Sequence, residues 1–238
     1  MAGAHRLGWT KRKVRLNPLI ERVAHTWGGL IAAYGRSATR ASQLVVEGLE
    51  NLPAGPVIWF SWHDTNMLSL ALHARVARRP VHTFVPPGIM GAGARGWVEG
   101  AGFIWHLLPQ EGTGNPLAAV RAMAHAVAGD CDIVVAVDGP HGPRQAVKPG
   151  AFWLARLTGR PMITVGFAAR PAFRWPRWDR HLIPLRGARI AAVFSKPLYV
   201  APGTRIDAAF LGDVEVLLRT VRRRAEGLLQ SSFGSRLA

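Results

Sequence analysis

The stretch that decides the fold begins Asp132-Ile-Val-Val-Ala-Val-Asp-Gly-Pro-His-Gly-Pro-Arg144 and continues through Gln-Ala-Val-Lys-Pro-Gly150. It ends Ala151-Phe-Trp-Leu-Ala-Arg-Leu-Thr-Gly159-Arg-Pro161-Met-Ile-Thr-Val-Gly-Phe167. Residues 132–137 carry a short apolar run, the mark of a buried strand. Residues 150–158 read as a helix, closed by Gly159 and barred from continuing by Pro161. Residues 162–167 are a second buried strand. A strand, a turn-rich loop, a helix and another strand in succession predict an α/β fold.

The same alternation extends outward. Residues 18–42 predict a helix with Ile20, Val23, Trp27, Leu30, Ile31 and Tyr34 on one stripe, weakened locally by Gly28 and Gly29. Residues 44–53 predict a short strand and turn, 56–62 a buried strand, 65–77 a helix and 81–85 a strand. Residues 86–95, rich in Pro and Gly, read as a loop. They are followed by a helix end over 97–102, a strand over 103–108 and a helix over 115–128. Residues 189–194 form a last strand and 207–229 a last, strongly basic helix. The expected architecture is a largely parallel central sheet flanked by helices. Residues 1–42 are read as a basic tail and an amphipathic helix, and 43–238 as one α/β domain.

The chain has 238 residues, 49% of them hydrophobic, with a mean hydropathy of +0.10. That is enough to bury a core and too apolar for a disordered chain. Its net charge is +16, from 30 Lys and Arg against 14 Asp and Glu. Only Lys11, Lys13, Lys148 and Lys196 are lysines, so arginine, whose planar fork matches phosphate and carboxylate, dominates. The single cysteine, Cys131, rules out an intrachain disulfide and a multi-cysteine zinc site. The longest window free of Asp, Glu, Lys and Arg, residues 80–94, is broken by three prolines and three glycines, so it predicts no spanning helix. The amphipathic helix with its basic flanks instead suits a membrane surface, and equally a packed core helix.

Two segments can carry chemistry. Ser61-Trp-His-Asp64 leaves the end of a buried strand, where α/β folds place reactive groups. His63 there is a candidate general base, provided a carboxylate fixes its tautomer. Asp64 and Asp138 are the candidates for that carboxylate. In the second segment, Gly139, Pro140, Gly142 and Pro143 build a rigid turn. Arg144 offers a bidentate fork to an anion, and Lys148 stands just before a helix start, where anions are favoured. There is no G-x-S-x-G, no Walker A sequence and no histidine pattern with metal-ligand spacing. Nor does any nucleic-acid motif accompany the charge.

Together these blocks resemble the lysophospholipid acyltransferase superfamily, in its uncharacterised bacterial branch. The blocks that carry the resemblance are Val46-Glu-Gly-Leu-Glu-Asn-Leu52, Trp62-His63, Asp138-Gly-Pro-His-Gly-Pro-Arg144, Val147-Lys-Pro-Gly150, Leu154-Ala-Arg-Leu-Thr-Gly159-Arg-Pro161 and Trp178-Asp179. The resemblance implies a peripheral enzyme at the cytoplasmic face of the inner membrane. Such an enzyme moves a fatty acyl group from acyl-CoA or acyl-carrier protein, its substrates rather than bound cofactors, to a hydroxyl of a lysophospholipid or related lipid. It implies His63 as the base. It also implies the Asp138–Arg144 loop (Gly139, Pro140, Gly142, Arg144), with Lys148, as the seat of the acceptor lipid. Anionic membrane lipid, and no specific nucleic acid, is the expected partner. Two departures stand out. The superfamily places an acid five positions after the histidine, where this chain has Leu68. The middle block, residues 107–116, lacks the usual arginine. They motivate a second reading, a catalytically inactive lipid-binding module with the same fold.

Overall fold

The computed structural model describes residues 17–108 and 115–234. The basic tail and most of the 107–116 block therefore lie outside the described residues. Helix α1 (Pro18–Arg40) is capped by Asn17, whose side chain accepts from the Leu19 N–H, and leads into β1 (Gln43–Glu47). There follow β2 (Ile58–Ser61), α2 (Asn66–Val76), β3 (Val81–Val85), α3 (Gly88–Gly100), β4 (Ile104–Leu107) and α4 (Pro116–Ala126). The chain closes with β5 (Asp132–Ala136), α5 (Gly150–Thr158), β6 (Met162–Arg174), β7 (Leu182–Phe194) and α6 (Ala208–Phe233). Among the described residues seven strands form one sheet in the order β1-β7-β6-β2-β5-β3-β4, parallel at every pairing except β6 with β7. The α/β architecture expected from the alternation is the one observed.

Alternation along each strand divides the core in two. On β2, Ile58 and Phe60 join Ile133, Phe152, Met162 and Leu218 on one face, whereas Trp59 joins Leu68, Ile163, Ile190 and Phe194 on the other. Asp132 can open a buried strand because its carboxylate accepts from the Val57 N–H (3.0 Å) and Trp59 Nε1 (3.2 Å).

Two elements differ from the sequence expectation. The Pro- and Gly-rich stretch read as a loop is the first half of α3. Its glycines are contact surface: a Cβ on Gly96 would lie 1.9 Å from the His25 carbonyl oxygen, and one on Gly28 would lie 2.0 Å from that of Gly93. Backbone meets backbone where α1 crosses α3. Strands β6 and β7 also run well past 162–167 and 189–194, forming a long antiparallel hairpin.

The α1–α3 crossing settles which face of α1 is packed. Gly28, Ala32, Gly35 and Ala38 are buried, whereas Leu19, Ile20, Val23, Trp27 and Leu30 are exposed, Trp27 to 62%. The large apolar stripe faces outward.

Gly96→Ala overpacks this crossing and is expected to cost about 1–3 kcal/mol. Gly29→Ala, whose Cβ would meet nothing closer than 3.9 Å, is expected to be neutral or stabilising by up to about 1 kcal/mol through helix propensity. Urea unfolding of the two variants separates the cases. A second expectation concerns acid. Burial lowers the pKa of His73 from 6.5 to about 4, against the opposing effect of its hydrogen bond to the Ser69 carbonyl. The unfolded chain takes up this proton first, so stability rises with pH between those values. His73 alone is expected to remove about 2 kcal/mol between about pH 7 and pH 5. His73→Phe should flatten that limb in urea unfolding at the two pH values.

Candidate active site

Strands β2 and β5 are parallel neighbours, so their C-terminal ends deliver His63 and Asp138 to the same edge of the sheet. His63 opens a single 3-10 turn before α2, and its ring is partly exposed. Asp138 is fully buried. One of its oxygens accepts from the His63 backbone N–H (2.7 Å) and the other from the Gln145 N–H (2.9 Å). Burial raises its pKa, and these backbone donors pull it back. Asp138 thus staples the two loops together and does not touch the imidazole.

The carboxylate on the imidazole is Asp179. Its Oδ2 lies 2.7 Å from His63 Nδ1 and 3.1 Å from His181 Nδ1, and it is completely buried. Burial alone would raise its pKa, but the hydrogen bonds from His181 and His63 hold it well below the usual carboxylate range. Asp179 comes from the turn joining β6 to β7, which folds back over the C-terminal end of β2. With His63 Nδ1 committed to it, Nε2 is the ring nitrogen left for proton transfer.

Asp64, the other sequence candidate, points elsewhere. The 3-10 turn carries it away from the His63 ring and into a nest of arginines. Its carboxylate lies 3.1 Å from Arg144 Nη2 and 3.8 Å from Arg174, and is paired closely with Arg222 of α6. Arg144 also donates through Nε to the Asp179 carbonyl (2.9 Å). The fork expected to meet a ligand therefore spans Asp64 and the backbone of Asp179. Burial lowers the Arg174 pKa, opposed by Asp64 and assisted by Arg222 and Arg144.

The turn glycines have steric reasons. A Cβ on Gly139 would come within 3.1 Å of the His63 ring, and one on Gly142, at φ +77°, within 2.9 Å of Trp178. Trp178 in turn lies 5.1 Å from the His63 ring, centroid to centroid. The Gly139-Pro140 and Gly142-Pro143 bonds are both cis.

His63 lines a cavity of about 450 Å³ together with Lys148, Gly139 and Pro140. Leu70, Val85, Trp97, Val120, Met123 and Trp153 supply its apolar wall. A charged centre therefore opens onto a hydrocarbon-compatible space. One ring nitrogen each of His63 and His181 and a carboxylate oxygen of Asp179 lie within 4.8 Å of one another, so they could hold one cation. Two imidazole donors on one carboxylate satisfy the same geometry without it.

Of the sequence candidates, the structure brings together His63, Gly139, Pro140 and Lys148 around the cavity. It corrects the choice of carboxylate from Asp64 or Asp138 to Asp179. The available signal was Trp178-Asp179, one of the blocks behind the family resemblance. His181 had no signal, because nothing in the sequence sets it beside a residue 118 positions earlier.

No protein-family model matches the chain. An uncharacterized protein of Rickettsia prowazekii (strain Madrid E) is 26% identical over 142 residues, 60% of this chain and 63% of that protein's length. Among solved structures, the 1-acyl-sn-glycerophosphate acyltransferase PlsC of Thermotoga maritima superposes with a TM-score of 0.51 at 18% identity. The superposition covers 90% of this chain and 84% of that one. This likeness is one of fold: the chain has the α/β fold of that acyltransferase.

Removing the Asp64 carboxylate leaves three arginines facing one another. Asp64→Ala is therefore expected to cost about 3–5 kcal/mol, as for a buried ion pair broken from one side. Arg174→Ala, at the exposed edge of the nest, is expected to cost under about 1 kcal/mol. Denaturant unfolding of both variants checks the ranking.

Proposed function

We propose that this protein is an O-acyltransferase that moves a fatty acyl group from a thioester to a hydroxyl of a lysophospholipid at an anionic membrane surface. The observation that carries the reading is the His63–Asp179 pair opening onto an apolar cavity. His63 Nε2 takes the proton of the acceptor hydroxyl as its oxygen bonds to the thioester carbonyl carbon. The tetrahedral adduct collapses with loss of the C–S bond, and the imidazolium returns the proton to the leaving thiolate, giving an ester and a free thiol. Asp179 holds the ring in the productive tautomer and stabilises the imidazolium without becoming protonated. A thioester is already activated, so a positioned base and an ordered acceptor provide most of what the reaction requires.

The cavity wall suits the acyl chain, and Lys148 on its lining suits an anionic group of acceptor or donor. Acyl-CoA and acyl-carrier protein are both donors of the right chemistry, and the second is an acidic partner for a chain of net charge +16. No described helix is long and apolar enough to cross a membrane. The outward stripe of α1, together with exposed Ile89 and Met90 on α3, supports docking at the surface of the cytoplasmic leaflet. The inactive-module reading draws on the absence of an acid at Leu68 and on the altered 107–116 block, and the Asp179 carboxylate at 2.7 Å from His63 Nδ1 supports the active reading against the first of these.

The test is acyl transfer by wild type, His63→Ala and Asp179→Asn. Labelled acyl-CoA and acyl-carrier protein are offered against lysophospholipids, and products are read by mass spectrometry. Both variants are expected to fold and to lose at least about 10²-fold in rate. Transfer retained by His63→Ala would overturn the mechanism. Lipid binding without turnover by wild type would favour the inactive module.

A further inference from the structure

The β6–β7 hairpin and the C-terminal half of α6 enclose a groove of about 630 Å³ that shares no lining residue with the cavity at His63. Its charged residues are Arg170, Arg174, Arg189 and Glu226; Arg174 is already engaged by Asp64 at 3.8 Å, so Arg170 and Arg189 are the guanidiniums the groove presents. Arg170 and Arg189 are direct cross-strand partners. Like charges opposite each other destabilise a sheet, so the fold holds an unfavourable pair on the wall of an open groove. The Arg189 guanidinium lies over the Phe233 ring at 5.5 Å, and its Nη1 is 3.5 Å from the Phe233 carbonyl oxygen. Neither contact supplies a negative charge. The rest of the lining is largely apolar, with Leu182 and Leu229 buried and Phe233 half-buried.

We propose that this groove is a second lipid site, which binds a single-chain amphiphile carrying a phosphate monoester. Arg170 and Arg189 hold the phosphate through charge-assisted hydrogen bonds, and the chain lies along Leu229 and Phe233. The anion converts the repulsive cross-strand pair into a clamp. The apolar wall selects an amphiphile over a free ion. The site is independent of the acyl-transfer chemistry. Its occupant braces the hairpin whose connecting turn carries Asp179.

The test uses the full chain and dodecyl phosphate below its micellar concentration, at near-physiological salt, with binding read by calorimetry and by thermal shift. Wild type is expected to bind dodecyl phosphate and to gain thermal stability from it. Inorganic phosphate and the uncharged dodecyl maltoside should bind at least about tenfold more weakly. Arg170→Gln is expected to weaken dodecyl phosphate binding by about tenfold while raising the melting temperature of the unliganded protein, because it removes the repulsion. A residue that only supported the fold would lower that temperature instead. His63→Ala should bind dodecyl phosphate as wild type does, whether or not acyl transfer is observed. Equal binding by Arg170→Gln and wild type would overturn the proposal, as would equal binding of inorganic phosphate or of the maltoside. Binding that appears only after deletion of residues 235–238 would assign the groove to the chain's own C-terminus and would also overturn it.

Discussion

A carboxylate sealed from water must be compensated where it sits, and Asp179 is compensated by two imidazoles on one oxygen. That requirement ties together parts of the chain far apart in sequence. His63 is delivered by the end of β2, and Asp179 and His181 by the connection between β6 and β7. The connection reaches β2 because β6 lies beside it in the sheet. The long hairpin gives the imidazole a fixed carboxylate partner, which the strand end alone does not supply. Trp178, beside Gly142 and against the His63 ring, fills the space between the turn after β5 and the imidazole.

Around this pair the remaining polar groups act as scaffold. Asp138 ties the loop after β2 to the turn after β5 through two backbone N–H groups. Asp64 gathers Arg144, Arg174 and Arg222, which draws α6 and the hairpin onto the turn that carries His63. Arg144 connects the two systems, since its Nη2 meets Asp64 and its Nε meets the Asp179 carbonyl. Several arginines that look like ligand-binding surplus in the sequence are therefore internal counter-charges. In the groove under the hairpin Arg174 belongs to this nest, whereas Arg170 and Arg189 face each other across β6 and β7.

Much of this was legible in the sequence. The alternation of apolar strand and helix determined the fold class, and the β5–α5–β6 stretch carried both its period and its stop signals at Gly159 and Pro161. His63 and the Gly-Pro turn could be read because unusual residue types were crowded at strand ends. Three features were hidden, each for a physical reason. The first half of α3 looked like a loop because its glycines serve the crossing with α1, a tertiary contact that overrides helix propensity. The outer hairpin looked irregular because Arg170, Pro171 and Arg174 interrupt the strand alternation, with a register shift between Arg170 and Ala172. The partner of His63 could not be chosen because adjacency in the chain favoured Asp64 and a place at a neighbouring strand end favoured Asp138. Backbone geometry gives those two other work, and only the folded sheet brings Asp179 within reach.

The most direct test of the account is the tautomer of His63, read by ¹⁵N NMR of the imidazole ring in wild type and Asp179→Asn. The account predicts a neutral ring protonated at Nδ1 in the wild type, with a downfield Nδ1–H proton that is lost in the variant. A ring protonated at Nε2, or a spectrum unchanged by Asp179→Asn, would contradict it.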